Sequence, residues 1–115
     1  MSDLDRTLAA LSDRTRRGVV ELLRKRPYRA GELADALAMS APAMSRHLRV
    51  LRTSGLIEEE HVGDDARVRI YRLRQDPFRK LRRWLDSVES FWTRELDAFA
   101  AHAEKTRGPG SKRPR

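Results

Sequence analysis

The sequence contains no cysteine, which excludes a disulfide framework and any thiolate metal site within this chain. Long hydrophobic runs are also absent. No stretch approaches the roughly 20 apolar residues of a membrane-spanning helix, and the segment MSDLDRTLAAL has no apolar core of signal-peptide length. We therefore expect a cytoplasmic protein with no membrane partner. Its 115 residues suffice for one domain with a modest core, in which a long helix is usually buried with help from a partner.

Positive charge is abundant in this sequence. Lysine and arginine number 25 against 17 aspartate and glutamate residues, which gives a formal net charge of +8. This balance favours nucleic acid or another polyanion over a neutral or acidic partner. Many soluble proteins carry a solvated basic face, so the charge alone does not decide the function.

Helical spacing of apolar residues predicts four helices in the first half of the chain. Asp13 is a cap-type residue for the second helix, and Pro27 is predicted to end it. Ser40 is a good N-cap for the fourth helix, with Pro42 in its first turn and Gly55 in the expected stopping position. The predicted helices cover residues 4–11, 14–26, 30–39 and 40–53.

A hairpin and a long helix follow. The segments LIEEEHV (56–62) and RVRIYRL (67–73) predict two strands around a turn that contains aspartate and glycine. Asp76 and Pro77 open a helix that runs to about Lys105, and the tail 106–115 is predicted to be disordered. With the three-residue turn AMS between the third and fourth helices, this order predicts a mainly α fold with a two-stranded β-hairpin wing, a winged helix-turn-helix. The domain covers residues 1–105.

The fourth helix is predicted to have a small and basic outward face. On a helical wheel, Met44, Leu48 and Leu51 define the buried side. Small residues at the start of the helix allow the backbone to approach the base edges of a major groove. Arg46 is the first choice for a base contact, because its planar fork of donors fits guanine O6 and N7.

Other residues of this helix and of the hairpin extend the predicted DNA-binding site. On the helix, the set comprises Ser40, Ala41, Pro42, Ala43, Ser45, Arg46, His47 and Arg49, with Ser45 and His47 on the flanks that suit phosphate contact. In the wing we expect Arg67 and Arg69 to contact DNA if any residue does. Five acidic side chains oppose this, at Glu58, Glu59, Glu60, Asp64 and Asp65. Arg72 and Arg74 are expected to be surface charges.

Five of the seven aromatic residues lie on the last helix, an apolar load that is too wide for a small core to cover unaided. We predict that this helix and the first helix form a homodimer interface. The predicted interface residues are Leu4, Leu8, Phe78, Leu81, Trp84, Leu85, Val88, Phe91, Trp92, Leu96 and Phe99. An alternative left open is a pocket between the paired helices, in which a small apolar effector shifts the DNA-bound state.

The motifs LSDRTRRGVVELL and GELADALAMSAPAMSRHLRVLRTSGLI resemble the ArsR/SmtB family of bacterial winged-helix repressors. The likeness covers residues 4–74 well and the last helix more loosely; SRHLRVL is its strongest part, and Arg14 stands where proline is usual. The resemblance implies a homodimeric repressor that binds an inverted repeat, commonly upstream of its own gene, with the first and last helices forming the dimer interface.

The chain departs from that family where many members bind metals. Many members use cysteines on the third helix, and the equivalent positions here are Arg29 and Gly31, which cannot ligate a metal. The last helix offers carboxylates at Asp86, Glu89, Glu95 and Asp97 with no histidine among them. The three histidines, His47, His61 and His102, lie in separate predicted elements. We therefore expect no metal site and no cofactor.

Two other classes of function are weighed against a DNA-binding repressor. A winged helix can serve as a protein-interaction or RNA-binding module, because fold does not fix function; the aromatic last helix would then dock the partner. An enzyme is the weakest hypothesis, since the sequence shows no nucleophile and base pairing and no phosphate-binding glycine loop. Ser45 beside His47 is better explained as two flanking helix residues than as a catalytic pair.

Overall fold

The computed structural model describes residues 2–64 and 67–107, with side chains to residue 105. The elements are α1 (Asp3–Leu11), α2 (Arg14–Leu23), β1 (Tyr28–Arg29), α3 (Ala30–Ala36), α4 (Ala41–Thr53), β2 (Ile57–His61), β3 (Arg69–Leu73) and α5 (Gln75–Arg107). The chain divides into two compact units, Met1–Leu81 and Arg82–Arg115. None of the helices in the described residues is long and apolar enough to cross a membrane.

Side-chain caps set the starts of three helices. Ser2 and Asp5 form a capping box at α1, in which the Asp5 N–H donates to Ser2 Oγ at 3.1 Å and the Ser2 N–H donates to Asp5 Oδ2 at 3.3 Å. Asp13 accepts from the Arg16 N–H at 2.9 Å, and Ser40 accepts from the Ala43 N–H at 3.3 Å. The caps predicted at Asp13 and Ser40 are therefore confirmed, and the second one fixes where the helix-turn-helix presents α4.

Two arginines at the start of α2 satisfy the end of α1. Arg16 Nε donates to the Ala10 carbonyl at 2.7 Å, and Arg17 donates to the Leu11 carbonyl at 2.8 Å. The last carbonyls of a helix have no partner within it, so these bonds remove a cost that a helix end otherwise bears. The DRTRR segment thus joins α1 to α2.

The predicted ends of α2 and α3 were wrong. α2 ends at Leu23, because the chain must leave the helix early for Tyr28 and Arg29 to pair with β3. α3 ends at Ala36 instead of residue 39, because Ala38 takes a left-handed conformation at φ 53° and the Met39 N–H closes the helix on Ala34 O at 2.9 Å. Both predicted helices were too long, because each one ends early to form the connection that follows it.

The sheet has three antiparallel strands in the order β1-β3-β2, so the predicted hairpin is confirmed and a third short strand was missed. Ile57 pairs with Leu73 and Glu59 pairs with Tyr71, which places these four side chains on one face. Tyr71 is buried on that face. The register therefore places Tyr71 and Leu73 on the face of β3 that packs on the core. The mainly α winged helix-turn-helix class is confirmed.

One core holds the helix-turn-helix against the sheet. Its largest fully buried side chains come from α2, α3, α4 and the start of β2, namely Val19, Leu33, Met44, Leu51, Leu56 and Ile57. Thr7 is buried with them and is satisfied, because its hydroxyl donates to the Asp3 carbonyl at 3.0 Å. The core fixes one side of α4, so the opposite side of that helix is held in a defined direction.

α5 has 33 residues and is therefore about 50 Å long. It begins one residue before Asp76 and continues to Arg107, two residues into the segment predicted to be disordered. The rest of that predicted tail, residues 108–115, lies outside the described residues. Phe78 is partly buried and packs against the core of its own chain, and its place in the dimer interface stays a prediction.

Candidate nucleic-acid interface

The exposed face of α4 is the candidate DNA-contacting surface. Met44, Leu48 and Leu51 are buried, as the helical wheel predicts. Arg46 and Arg49 are exposed on the other side of the helix. The remaining predicted residues are exposed at Ser40, Ala41, Pro42 and Ser45 and half-buried at Ala43 and His47.

Small side chains occupy the start of that face. Ala41 and Pro42 form the first turn, where the missing N–H of proline costs nothing because the turn has unsatisfied donors in any case. An α-helix with its side chains is about 10–12 Å across, and the major groove is about 12 Å wide. Short side chains at the leading end therefore let the backbone come close to the base edges.

Arg46 and Arg49 differ from the other arginines near them in having no protein partner. Within residues 2–64 and 67–105, neither guanidinium makes a hydrogen bond or an ion pair. Arg52, one turn further along α4, is bound to Glu59 at 2.6 Å. The two unpaired arginines can therefore bind a ligand without first breaking a contact inside the protein.

His47 lies against α2. Its Nδ1 is 3.7 Å from Asp13 Oδ2, and 20% of the side chain is exposed. The hydrogen bond from the Arg16 N–H lowers the pKa of Asp13; burial opposes this shift, and the charges of Arg16 and His47 add to it. Any phosphate contact by His47 must be made from the edge of the ring that stays exposed.

Glu59 joins α4 to the wing. Its Oε2 accepts from Arg52 at 2.6 Å and from the Tyr71 hydroxyl at 2.8 Å, and its Oε1 is 3.5 Å from Arg69. The side chain is 17% exposed. Burial works against the charged carboxylate, but the bond from Tyr71 and the charges of Arg52 and Arg69 outweigh it and hold the pKa of Glu59 below its ordinary value. We call these four residues the Glu59 cluster.

The wing arginines are less available than the sequence suggests. Arg69 forms an ion pair with Glu59 at 3.5 Å, and Arg72 forms one with Glu60 at 2.7 Å. The Arg72 side chain is 40% exposed, in line with the expected surface charge, although its Nε is buried and has no hydrogen-bond partner in the described residues. Asp65, one of the five acidic residues that were expected to repel DNA, lies outside the described residues.

Sequence reasoning missed the Glu59 cluster. The signal was present in the register: once Tyr71 is placed on the buried face of β3, the residue opposite it on β2 is Glu59. A carboxylate opposite a buried tyrosine needs a donor, and the tyrosine hydroxyl supplies one. Choosing the phase of β3 would therefore have placed Glu59 inside.

Arg29 and Gly31, the positions that the family resemblance equates with metal-binding cysteines, carry other chemistry. Arg29 lies on β1 and Gly31 in the first turn of α3. No group of three or more histidine, aspartate or glutamate side chains in the described parts of the chain is arranged to hold a metal ion.

The predicted dimer residues lie on α1 and along α5. Leu4 and Leu81 are half-buried, whereas Leu8 is exposed. The α5 residues from position 84 onward are all exposed in the single chain: Trp84, Leu85, Val88, Phe91, Trp92, Leu96 and Phe99. Trp92 is 61% exposed and Phe99 is 73% exposed. Large apolar side chains in a row are rarely left in water, so this face requires a cover.

Comparison with known proteins agrees with this architecture. The family model described as "Bacterial regulatory protein, arsR family" matches residues 13–59, from the α2 cap to β2. The HTH-type transcriptional regulator Rv2034 of Mycobacterium tuberculosis is 43% identical over 96 residues, which cover 84% of each chain. The transcriptional repressor SdpR of Bacillus subtilis is 32% identical over 60 residues, covering 52% of this chain and 67% of SdpR.

A solved structure gives the same result for the fold. The ArsR-like transcriptional regulator from Rhodococcus sp. RHA1 superposes with a TM-score of 0.77 at 33% sequence identity, covering 90% of this chain and 92% of that one. The chain therefore belongs to the ArsR family of bacterial regulatory proteins, and it is a transcriptional regulator with a winged helix-turn-helix DNA-binding domain and not an enzyme.

Proposed function

We propose that this protein is a homodimeric repressor that binds an inverted-repeat operator through α4 and does not respond to metal ions. The observation that carries the proposal is the exposed face of α4, where short side chains precede two unpaired arginines. Arg46 reads a base, most simply guanine O6 and N7, because a guanidinium fork matches both acceptors. Arg49 and Ser45 contact the phosphates beside it.

The complete proposed contact set is that of the sequence prediction. It comprises Ser40, Ala41, Pro42, Ala43, Ser45, Arg46, His47 and Arg49 on the helix, with Arg67 and Arg69 in the wing. His47 is half-buried and Arg69 is paired with Glu59, so these two residues are less available to DNA than the rest of the set. Repression is proposed by likeness to SdpR, whose name describes it as a transcriptional repressor.

The second copy of the chain covers the exposed face of α5. An apolar face of this length, on a helix of about 50 Å, matches the same face of a symmetry mate. Two copies of α4 then lie about 34 Å apart, one turn of DNA, and read the two halves of an inverted repeat. An apolar effector bound between the helices is an alternative that the experiment below can reveal.

Lack of a metal response follows from the residues at the aligned positions. A guanidinium does not ligate metals, and a glycine has no side chain with which to do so, so Arg29 and Gly31 cannot replace a pair of thiolates. Zinc or another thiophilic ion is expected to leave operator binding unchanged.

The test is selection of duplexes from a randomised pool by the purified full-length chain. We expect a two-fold symmetric motif with half-sites one helical turn apart. Arg46→Ala is expected to relax the preference at one base pair of each half-site, at a cost of about 1–3 kcal/mol against the preferred sequence. Arg24→Ala is the matched control, because Arg24 is an exposed arginine paired with Glu21 on α2.

Two results would contradict the proposal. Equal affinity for every duplex, unchanged by Arg46→Ala, would leave only non-specific binding by the net charge. A monomer that binds no duplex but captures another protein on α5 would support the interaction module instead. Co-purification of an apolar small molecule that changes operator affinity would identify an effector.

A further inference from the structure

A basic cleft of about 900 Å³ opens beside α4 on the side of the wing. Its lining includes Arg29 of β1, Gly31 of α3 and Ser45 of α4, together with Arg67 and Arg69 of the wing. The pairing of Arg29 with Ile70 across the sheet holds β1 at this cleft. β1 is also the strand that the sequence did not predict. We call this cleft the β1–wing cleft.

The cleft carries an excess of positive charge. Arg29 makes no hydrogen bond and no ion pair through its guanidinium within the described residues. Glu32 is the acidic residue of the lining, and it is already engaged: the Arg29 N–H donates to it at 2.9 Å, and Arg26 donates at 3.3 Å. The lining therefore holds three arginines and one carboxylate, but Arg69 is already paired with Glu59 and Arg67 also has a partner, so Arg29 is the arginine of this lining that is left for a ligand.

The cleft is continuous with the exposed face of α4. Ser45 belongs to both surfaces, and it precedes Arg46 in the chain. A DNA backbone bound at the exposed face of α4 would therefore lie next to the cleft. Guanidinium groups bind phosphate oxygens in a fork, so the chemistry of the walls fits a phosphodiester.

We propose that the β1–wing cleft binds a phosphate of the DNA backbone next to each half-site, and that Arg29 is the residue that contacts it. The proposal rests on the proposed DNA-binding function and adds a position that the sequence prediction did not include. The position that the family resemblance equates with a metal-binding cysteine would thus serve DNA binding in this chain.

Gly31 allows a test that keeps the fold intact. A Cβ built at Gly31 meets no atom within 4 Å, and its backbone is ordinary helix, so a longer side chain enters the cleft without a clash. Gly31→Glu places a carboxylate there, and Gly31→Gln places a neutral side chain of the same shape. We expect Gly31→Glu to bind the selected operator about fivefold to tenfold more weakly than Gly31→Gln, because its charge repels the phosphate.

Arg29→Gln gives a second and independent readout. The dependence of log Kd on log salt is measured by fluorescence anisotropy with the labelled operator between about 50 and 200 mM salt, and the loss of one phosphate contact lowers its slope by about 0.9. Arg24→Gln is the control, because it removes the same charge from an exposed site at the C-terminal cap of α2. Circular dichroism of each variant checks that the helices are retained.

The outcomes separate this proposal from the proposed function. If Arg29→Gln shows the slope of Arg24→Gln and the two Gly31 variants bind alike while Arg46→Ala still relaxes the preference, the cleft does not bind the backbone and the proposed function stands. If the wild-type chain selects no duplex, the proposed function fails first. A lower slope for Arg29→Gln together with weaker binding by Gly31→Glu supports the cleft.

Discussion

At the scale of single residues, Glu59 is where burial, charge and hydrogen bonding meet. Hydrogen bonds from Arg52 and Tyr71 and the charge of Arg69 converge on a side chain that is 17% exposed. A charged group in such a place stabilises the fold only while its partners are present, because a buried carboxylate without donors is costly. The cluster therefore fixes the wing to α4 as long as Glu59 is ionised.

We expect Glu59→Gln to lower the free energy of unfolding by about 1–3 kcal/mol at neutral pH, the usual range for a lost hydrogen bond to a buried charged group. The pKa of Glu59 is depressed in the folded state, so its contribution is complete above its ordinary value of 4.5 and is lost as pH falls through the folded value. Urea titrations between about pH 6 and pH 3 measure this. The free energy of unfolding should fall less steeply with decreasing pH for Glu59→Gln than for the wild type.

The control for this prediction is Glu60→Gln, on the exposed face of the same strand. Glu60 pairs with Arg72 and is 56% exposed, so its loss should change stability little. Equal losses from the two variants, or identical pH profiles for Glu59→Gln and the wild type, would mean that the Glu59 cluster does not hold the wing.

Residues fixed by local periodicity could be predicted, and residues fixed by partners could not. Met44, Leu48 and Leu51 were placed correctly because a helix repeats every 3.6 residues whatever surrounds it. Glu59 was counted as a repelling surface charge because its face depends on the register between β2 and β3.

At the scale of elements, the starts of the helices were predicted better than their ends. The caps at Asp13 and Ser40 act through the next three residues, so the sequence alone contains them. The end of α2 depends on β1, which pairs with β3 more than 40 positions later, as at Tyr28 and Tyr71. A strand of two residues has no periodicity to detect.

The end of α3 gives a prediction at this scale. Ala38 has φ 53°, a conformation that costs an L-residue roughly 1–2 kcal/mol and glycine very little. We expect Ala38→Gly to raise the free energy of unfolding by up to about 1 kcal/mol, since the added entropy of the unfolded chain offsets part of the relief. Ala9→Gly, at an exposed position inside α1, should lower it by about 0.5–1 kcal/mol. Destabilisation by both variants in urea titrations would show that Ala38 is not strained.

At the scale of the whole molecule, we assign the unpaired positive charge to DNA binding and the exposed apolar surface to association with a second copy. The net charge of +8 includes arginines paired inside the fold, and it is the unpaired ones at α4 and β1 that remain for DNA. The apolar surface was predictable from spacing along α5, apart from Phe78, whose burial depends on the core of its own chain. The β1–wing cleft could not be predicted, because its walls come from segments distant in sequence.

The exposed face of α5 gives the last prediction. We expect the wild-type chain to sediment as a dimer and the variant Trp92→Glu, Leu96→Glu to sediment as a monomer, because both side chains are exposed in the single chain and a charge there opposes only the covering partner. Operator affinity should then fall by about 100-fold or more, since each subunit must bind its half-site without the effective concentration that a linked partner supplies.

Ser90→Glu is the matched control for that variant. Ser90 is exposed on α5 about 160° around the helix from Trp92, so its substitution adds one of the two negative charges of the double variant to the opposite face. The double variant should keep its helical circular dichroism and its weak affinity for a single half-site, which separates loss of the partner from loss of the fold. A double variant that stays dimeric and binds the operator as the wild type does would show that something other than a second copy covers α5.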